Sequence, residues 1–154
     1  MRFDPCLPLA LVVDEGTSAA RVAGAGAAVD LWNQAAASRL SVESATPALG
    51  PAGAPPAAPP ADAPATLPVH FEVAAAPSHG YYDPERGEVL INDDLMARSL
   101  VVTIAHEVGH AFGLVHVSGR PSVMNPGNLD VEPNAGDVAA LAALWGACGG
   151  GPSD

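Results

Sequence analysis

The sequence predicts an α+β protein, and three observations carry that expectation. Short stretches at 7–14, 40–44, 69–73, 78–82 and 88–92 read as β-strands, by alternation or by dense branched apolar content. Longer stretches at 18–38, 99–112 and 137–145 repeat their apolar residues at helical spacing. Glycine and proline punctuate the intervals between them. With 154 residues the chain fits one domain, 1–154, large enough to bury a core around a cleft. Aromatic residues are 5% of the chain, so that core is expected to be built from small side chains on packed helices.

Leu7 to Asp14 is the first strand; it lacks the charged lead and cleavage site of a signal peptide. Thr17 or Ser18 then offers an N-cap to a long alanine-rich helix reaching about Ser38. Val22, Val29 and Trp32 form its inward stripe. Gly24 and Gly26 each weaken such a helix by up to about 1 kcal/mol relative to alanine, which implies close packing where they stand. Leu40 to Ser44 alternates as a strand, and a Pro/Ala-rich segment follows from 46 to 68. Proline lacks the N–H and fixes φ, so this segment is expected to stand outside the sheet as an extended, mobile insertion within the domain.

Val69 to Val73 is the next strand, and Ser78–Tyr82 is expected to pair with Glu88–Asn92 across a turn containing Pro84 and Gly87. A helix over Ser99 to Phe112 buries Val102, Ala105, Val108 and Phe112, and Gly113 supplies a left-handed stop. Val115 to Asn134 is rich in Gly, Pro, Ser and Asn and is expected to be irregular. Val138, Leu141 and Trp145 stripe a last helix from Asp137 to Trp145, ended by Gly146, with a flexible tail at 149–154.

The formal net charge is −11, and no Lys/Arg cluster matches a phosphate backbone, so nucleic acid is not an expected partner. No apolar run approaches the roughly 20 residues a membrane-spanning helix needs, so no membrane partner is expected. A monomer is expected. The acidic surplus permits calcium binding, but no motif indicates it.

Cys6 and Cys148 lie at opposite ends of the chain, which excludes a CxxC motif and leaves three readings open. They form a disulfide in an exported protein, they are two buried thiols, or Cys6 is a thiolate ligand that blocks a metal.

The chemistry concentrates in His106-Glu107-Val108-Gly109-His110-Ala111-Phe112-Gly113-Leu114-Val115-His116. Two imidazoles four residues apart on a helix point the same way and can share one Zn²⁺, while Glu107 projects beside the metal as a general base. Gly113 lets the backbone turn sharply enough for His116 to return as a third ligand. A fourth position stays open for water.

This HExxHxxGxxH pattern resembles that of the metzincins. Ser122-Val123-Met124-Asn125-Pro126 follows where metzincins make their methionine-containing turn, so the resemblance assigns Met124 to a Met-turn. Asn125-Pro126 offers no tyrosine ligand of the astacin and serralysin kind. Gly136 to Gly146 is similar to the last helix of matrixins, with Asp137 as the matching acid and structural support, and Gly87 to Asp93 is similar to the strand before their active-site helix.

The resemblance implies a metzincin-like two-part domain. An upper part, 1–113, would hold a twisted, mostly parallel sheet with an antiparallel edge strand, and a lower part, 114–148, the Met-turn and last helix. It further implies one catalytic zinc ion and a secreted or extracytoplasmic endopeptidase acting on protein or peptide, with its export signal outside this chain. The alternative is a catalytically silent zinc-binding scaffold of the same fold. Val117, Gly136 and the lack of a propeptide cysteine motif depart from the matrixin pattern. His70 and His79 lack the further ligands a second zinc requires.

Overall fold

The computed structural model describes residues 1–45, 63–73 and 78–149. Its elements run β1 (Leu9–Val13), α1 (Ala19–Ala36), β2 (Leu40–Ser44), β3 (Ala65–Glu72), β4 (Gly80–Asp83), β5 (Glu88–Asn92), α2 (Ala97–Ala111) and α3 (Ala135–Trp145). The sheet has the order β2-β1-β3-β5-β4, parallel throughout except for β4, which lies antiparallel to β5 at the edge. The α+β expectation with a mostly parallel sheet and an antiparallel edge strand is borne out.

The Pro/Ala-rich expectation needs one correction. Residues 46–62 lie outside the described residues, as does the tail from 150, but 65–68 belong to β3 and pair with β1. Alternation explains how Pro68 is accommodated. Ala65 N–H donates toward β1, to Pro8 O, at 3.2 Å, whereas Glu72 O accepts from Asp93 N after β5. Even-numbered residues of β3 therefore turn their N–H groups toward β5, and pairing with β5 begins only at Val69. Proline removes a donor at a place where no partner strand has yet arrived.

Leu9, Leu11, Val13, Leu67, Val69, Val89 and Ile91 are buried in the sheet, at period-two positions along their strands, and share one hydrophobic cluster with α1 and α2. Trp32 is fully buried and meets Phe112 edge to face, with ring centroids 5.6 Å apart. Its indole N–H donates to Ala105 O at 2.9 Å, and the indole N–H of Trp145, on α3, donates to Phe112 O at 2.8 Å. Both tryptophans of the chain thus hold carbonyls of the α2 segment.

The two α1 glycines separate. A Cβ on Gly24 would lie 2.7 Å from Leu100 Cδ2 of α2, whereas one on Gly26 would meet nothing within 4 Å. Among the described residues, close packing is real at Gly24 and absent at Gly26. Gly26→Ala is expected to raise stability by up to about 1 kcal/mol through helix propensity. Gly24→Ala is expected to cost about 1–3 kcal/mol through overpacking. Urea denaturation of the two variants checks both signs. Ser18 occupies the N-cap position of α1 without a side-chain cap bond, and the Thr17 hydroxyl instead donates to Asp14 O.

Candidate active site

The segment α2 is buried on nearly every side, from Val102 to Gly109, which fixes its rotation and aims His106 and His110 into one cleft. The helix stops as expected: Gly113 takes φ +95°, its N–H bonds His110 O, and Leu114 N–H bonds Gly109 O at 2.9 Å. The chain then returns and delivers His116. Its Nε2 lies 3.2 Å from Nε2 of both His106 and His110.

These nitrogens fit a cation. His106 Nδ1 is 2.7 Å from Val123 O and His110 Nδ1 is 2.9 Å from Leu114 O, so each Nδ1–H donates to a carbonyl and each Nε2 presents a lone pair. Even if His116 carried its proton on Nε2, it could serve only one of the two neighbouring lone pairs. A bound divalent ion satisfies all three. Among the described residues, this trio is the sole cluster of three or more histidine, cysteine or carboxylate groups close enough to share a metal.

Burial sets the charge states of the metal-free site. It pushes Glu107 up to about 7, opposed by a backbone hydrogen bond from Tyr82. Burial pushes His106 down to about 4, and the neighbouring His110 and His116 add to that against the Val123 hydrogen bond; His110 is lowered for the same leading reason. The signs of the linked stability are opposite. The raised Glu107 favours the folded state below about pH 4.5 and loses that contribution as pH rises toward 7. The depressed His106 contributes above about 6.5 and loses its contribution as pH falls toward 4.

Between these limits the two slopes oppose each other in the zinc-free protein. Glu107→Gln removes one of them. The variant is expected to be more stable than wild type at pH 8 by on the order of 3 kcal/mol, to show little difference at pH 4, and to lose stability as pH falls from 6.5. Denaturant titrations of the chelated proteins across pH test this.

Beneath the histidines lies a turn from Ser122 to Asn125, closed by Asn125 N–H to Ser122 O. Met124 is buried against α2: a Cβ on Gly109 would overlap its sulfur. Val117 N–H bonds Met124 O at 3.0 Å, and Asn125 Nδ2 bonds the carbonyls of Val117 and Arg120. Asp137 in the first turn of α3 is 1% exposed; it accepts from Val123 N–H, the Ser122 hydroxyl and Asn134 N–H. Asn134 and Asp137 also form a capping box at the start of α3. The expected apolar stripe of that helix is weaker than its polar anchor, since Leu141 is buried but Val138 and Trp145 are only partly so.

The cleft above the histidines has a volume of about 610 Å³. Ser78 to Tyr82 form one wall, His106, Glu107 and His110 line it, and Gly113 to His116 with Gly127 and Asn128 complete the rim. Gly80 is pressed against the site, since a Cβ there would lie 3.0 Å from Glu107 Oε1. The N-terminal residues close one end: Phe3 N–H bonds Ala111 O, and the Tyr82 hydroxyl donates to Met1 O.

The remaining candidates separate. Cys6 and Cys148 are joined in a disulfide, so Cys6 offers no thiolate to the metal, and the blocking-ligand and buried-thiol readings fall. His70 sits between Asp14 and Glu88 across three strands, whereas His79 lines the cleft; the two do not form one site. Sequence reasoning missed the carbonyls of Val123 and Leu114, the Tyr82 N–H and the close approach at Gly80. The Asn134-x-x-Asp137 spacing was a legible signal for the cap.

Comparison with known proteins agrees with this geometry. The matrixin family profile matches residues 39–146. The chain is similar in fold to archaemetzincin from Methanopyrus kandleri, at 18% identity and a TM-score of 0.57, over 89% of this chain and 94% of that one. No curated protein matches the sequence. The profile match, which spans the long histidine motif and the strands β2 to β5, places the chain in the matrixin family, within the metzincin clan, and the fold agrees.

Proposed function

We propose that this protein is a zinc-dependent endopeptidase with His106, His110 and His116 as metal ligands and Glu107 as general base. The observation that carries the reading is the convergence of three imidazole nitrogens beside a buried carboxylate, on the floor of a cleft walled by the edge strand β4. When bound, zinc supplies Lewis acidity to a peptide carbonyl and lowers the pKa of a water molecule in the site.

The chain's own groups do the rest. Glu107, held near neutrality by burial, accepts a proton from the attacking water and passes it to the leaving amine. Its role as a base requires the ionised form, which the charge of the metal favours. Among the described residues the outer edge of β4 has no partner strand, and an extended substrate pairs with it by β-augmentation. Gly127 and Asn128 flank the pocket beyond the scissile bond. The turn at Ser122–Asn125 serves as the Met-turn, with Met124 as the packing support of α2. The Cys6–Cys148 disulfide supports residence in an oxidising, extracytoplasmic compartment.

A peptide-library digest by the zinc-loaded protein, with and without a chelator, tests the reading. Chelator-sensitive cleavage at internal peptide bonds is the expected result. A folded, zinc-loaded protein that cleaves no peptide would instead be a binding scaffold.

A further inference from the structure

Asp137 is a carboxylate almost wholly removed from water, and a buried charge of this kind needs a compensating partner. Arg120 is the cation paired with it: Nη2 lies 3.3 Å and Nη1 3.4 Å from Asp137 Oδ1, with Nη1 also 3.1 Å from Pro121 O. The guanidinium occupies a notch that exists because position 136 is glycine. A Cβ there would stand 2.5 Å from Arg120 Nη1 and 2.8 Å from its Cζ.

The other oxygen of Asp137 takes Val123 N–H at 3.0 Å, and the carbonyl of that same Val123 accepts from His106 Nδ1 at 2.7 Å. Three contacts therefore lead from an arginine outside the histidine motif to a histidine ring. Outer partners of this type fix the tautomer and orientation of a ligating imidazole, and their loss typically weakens metal binding by about 10–100-fold.

We propose that Arg120, seated over Gly136, is a positioning residue for the metal centre: it locks Asp137, Asp137 locks the peptide at Val123, and that carbonyl aims the His106 ring. The proposal rests on the reading of the three histidines as zinc ligands. It gives Gly136, which departs from the matrixin pattern, a function. Glycine there admits a half-exposed guanidinium against the buried carboxylate.

The test compares Arg120→Ala, Arg120→Lys, Gly136→Ala and Arg86→Ala for zinc affinity by chelator competition, for the visible spectrum of the cobalt-loaded protein, and for thermal stability without metal. Arg86 lies on the hairpin turn, where it pairs with Glu88, and controls for loss of one positive charge. Arg120→Ala and Gly136→Ala are expected to bind zinc about 10–100-fold more weakly and to shift the cobalt spectrum. Arg120→Lys is expected to recover part of that loss, and Arg86→Ala to match wild type. Wild-type affinity and spectrum in Arg120→Ala would overturn the proposal. If that variant does not fold, wild-type affinity in Gly136→Ala overturns it instead. A wild-type protein that binds no zinc would overturn the metal reading itself, a different result from an unaffected variant.

Discussion

Replacing Glu107 with alanine is expected to lower peptide hydrolysis by about 10²–10⁴-fold while the zinc stays bound. The two effects separate because the three imidazoles take their orientation from elsewhere. His106 is held by Val123 O and His110 by Leu114 O, and neither contact involves the carboxylate. Among the described residues that line the cleft, Glu107 is the one carboxylate, and the other proton-carrying side chains, His79, Tyr81 and Tyr82, lie on the facing wall. Alanine should also fold, since the carboxyl is an unfavourable guest at neutral pH, pushed up to about 7 by burial. The measurement is a pair of values on one preparation, the hydrolysis rate and the zinc content after dialysis. Undiminished hydrolysis would remove Glu107 from the role of base. Loss of zinc together with activity would mean that the carboxylate is part of the metal's binding set.

Opening the Cys6–Cys148 bond is expected to cost on the order of 4 kcal/mol. The cross-link joins residues 142 positions apart, and closing so long a loop removes much of the freedom of the unfolded chain. For a protein of this size the loss corresponds to a fall in Tm of roughly 10 °C. The effect is expected to concentrate at the C-terminal end. The α3 helix buries only Asp137 and Leu141, so apolar packing alone holds it weakly. Thermal denaturation of a Cys6→Ser/Cys148→Ser variant, beside wild type with and without reductant, checks the figure. A Tm within a degree or two of wild type in the double variant would show that the bond contributes little.

What could be read from the sequence, and what could not, follows from how local each determinant is. The α2 helix, its glycine stop and the three histidines were legible because helical spacing and left-handed backbone are properties of consecutive residues. The start of β3 was not. Pro68 marked its stretch as unfit for a sheet, yet a proline is excluded only where its missing N–H would face a neighbour, and strand order is a tertiary fact. Gly24 and Gly26 look alike in sequence but lie about 200° apart around the helix, and only the partner helix tells them apart. In α3, an apolar stripe pointed to the correct helix for a partly wrong reason, since the buried anchor is Asp137. Its partner Arg120 lies 17 residues away in an irregular stretch, where no periodicity links the two.

The paired indoles offer a built-in optical gauge. Trp32 bonds the carbonyl just before His106, and Trp145 bonds the one that follows the last turn of the same helix. The chain has no other tryptophan, so its entire near-ultraviolet indole emission originates from the two groups that clasp α2, the helix that carries His106 and His110, from α1 and α3. Melting of that helix frees both N–H groups to water and shifts the emission to longer wavelength. Fluorescence of the unlabelled protein therefore reports on the helix that carries His106, Glu107 and His110.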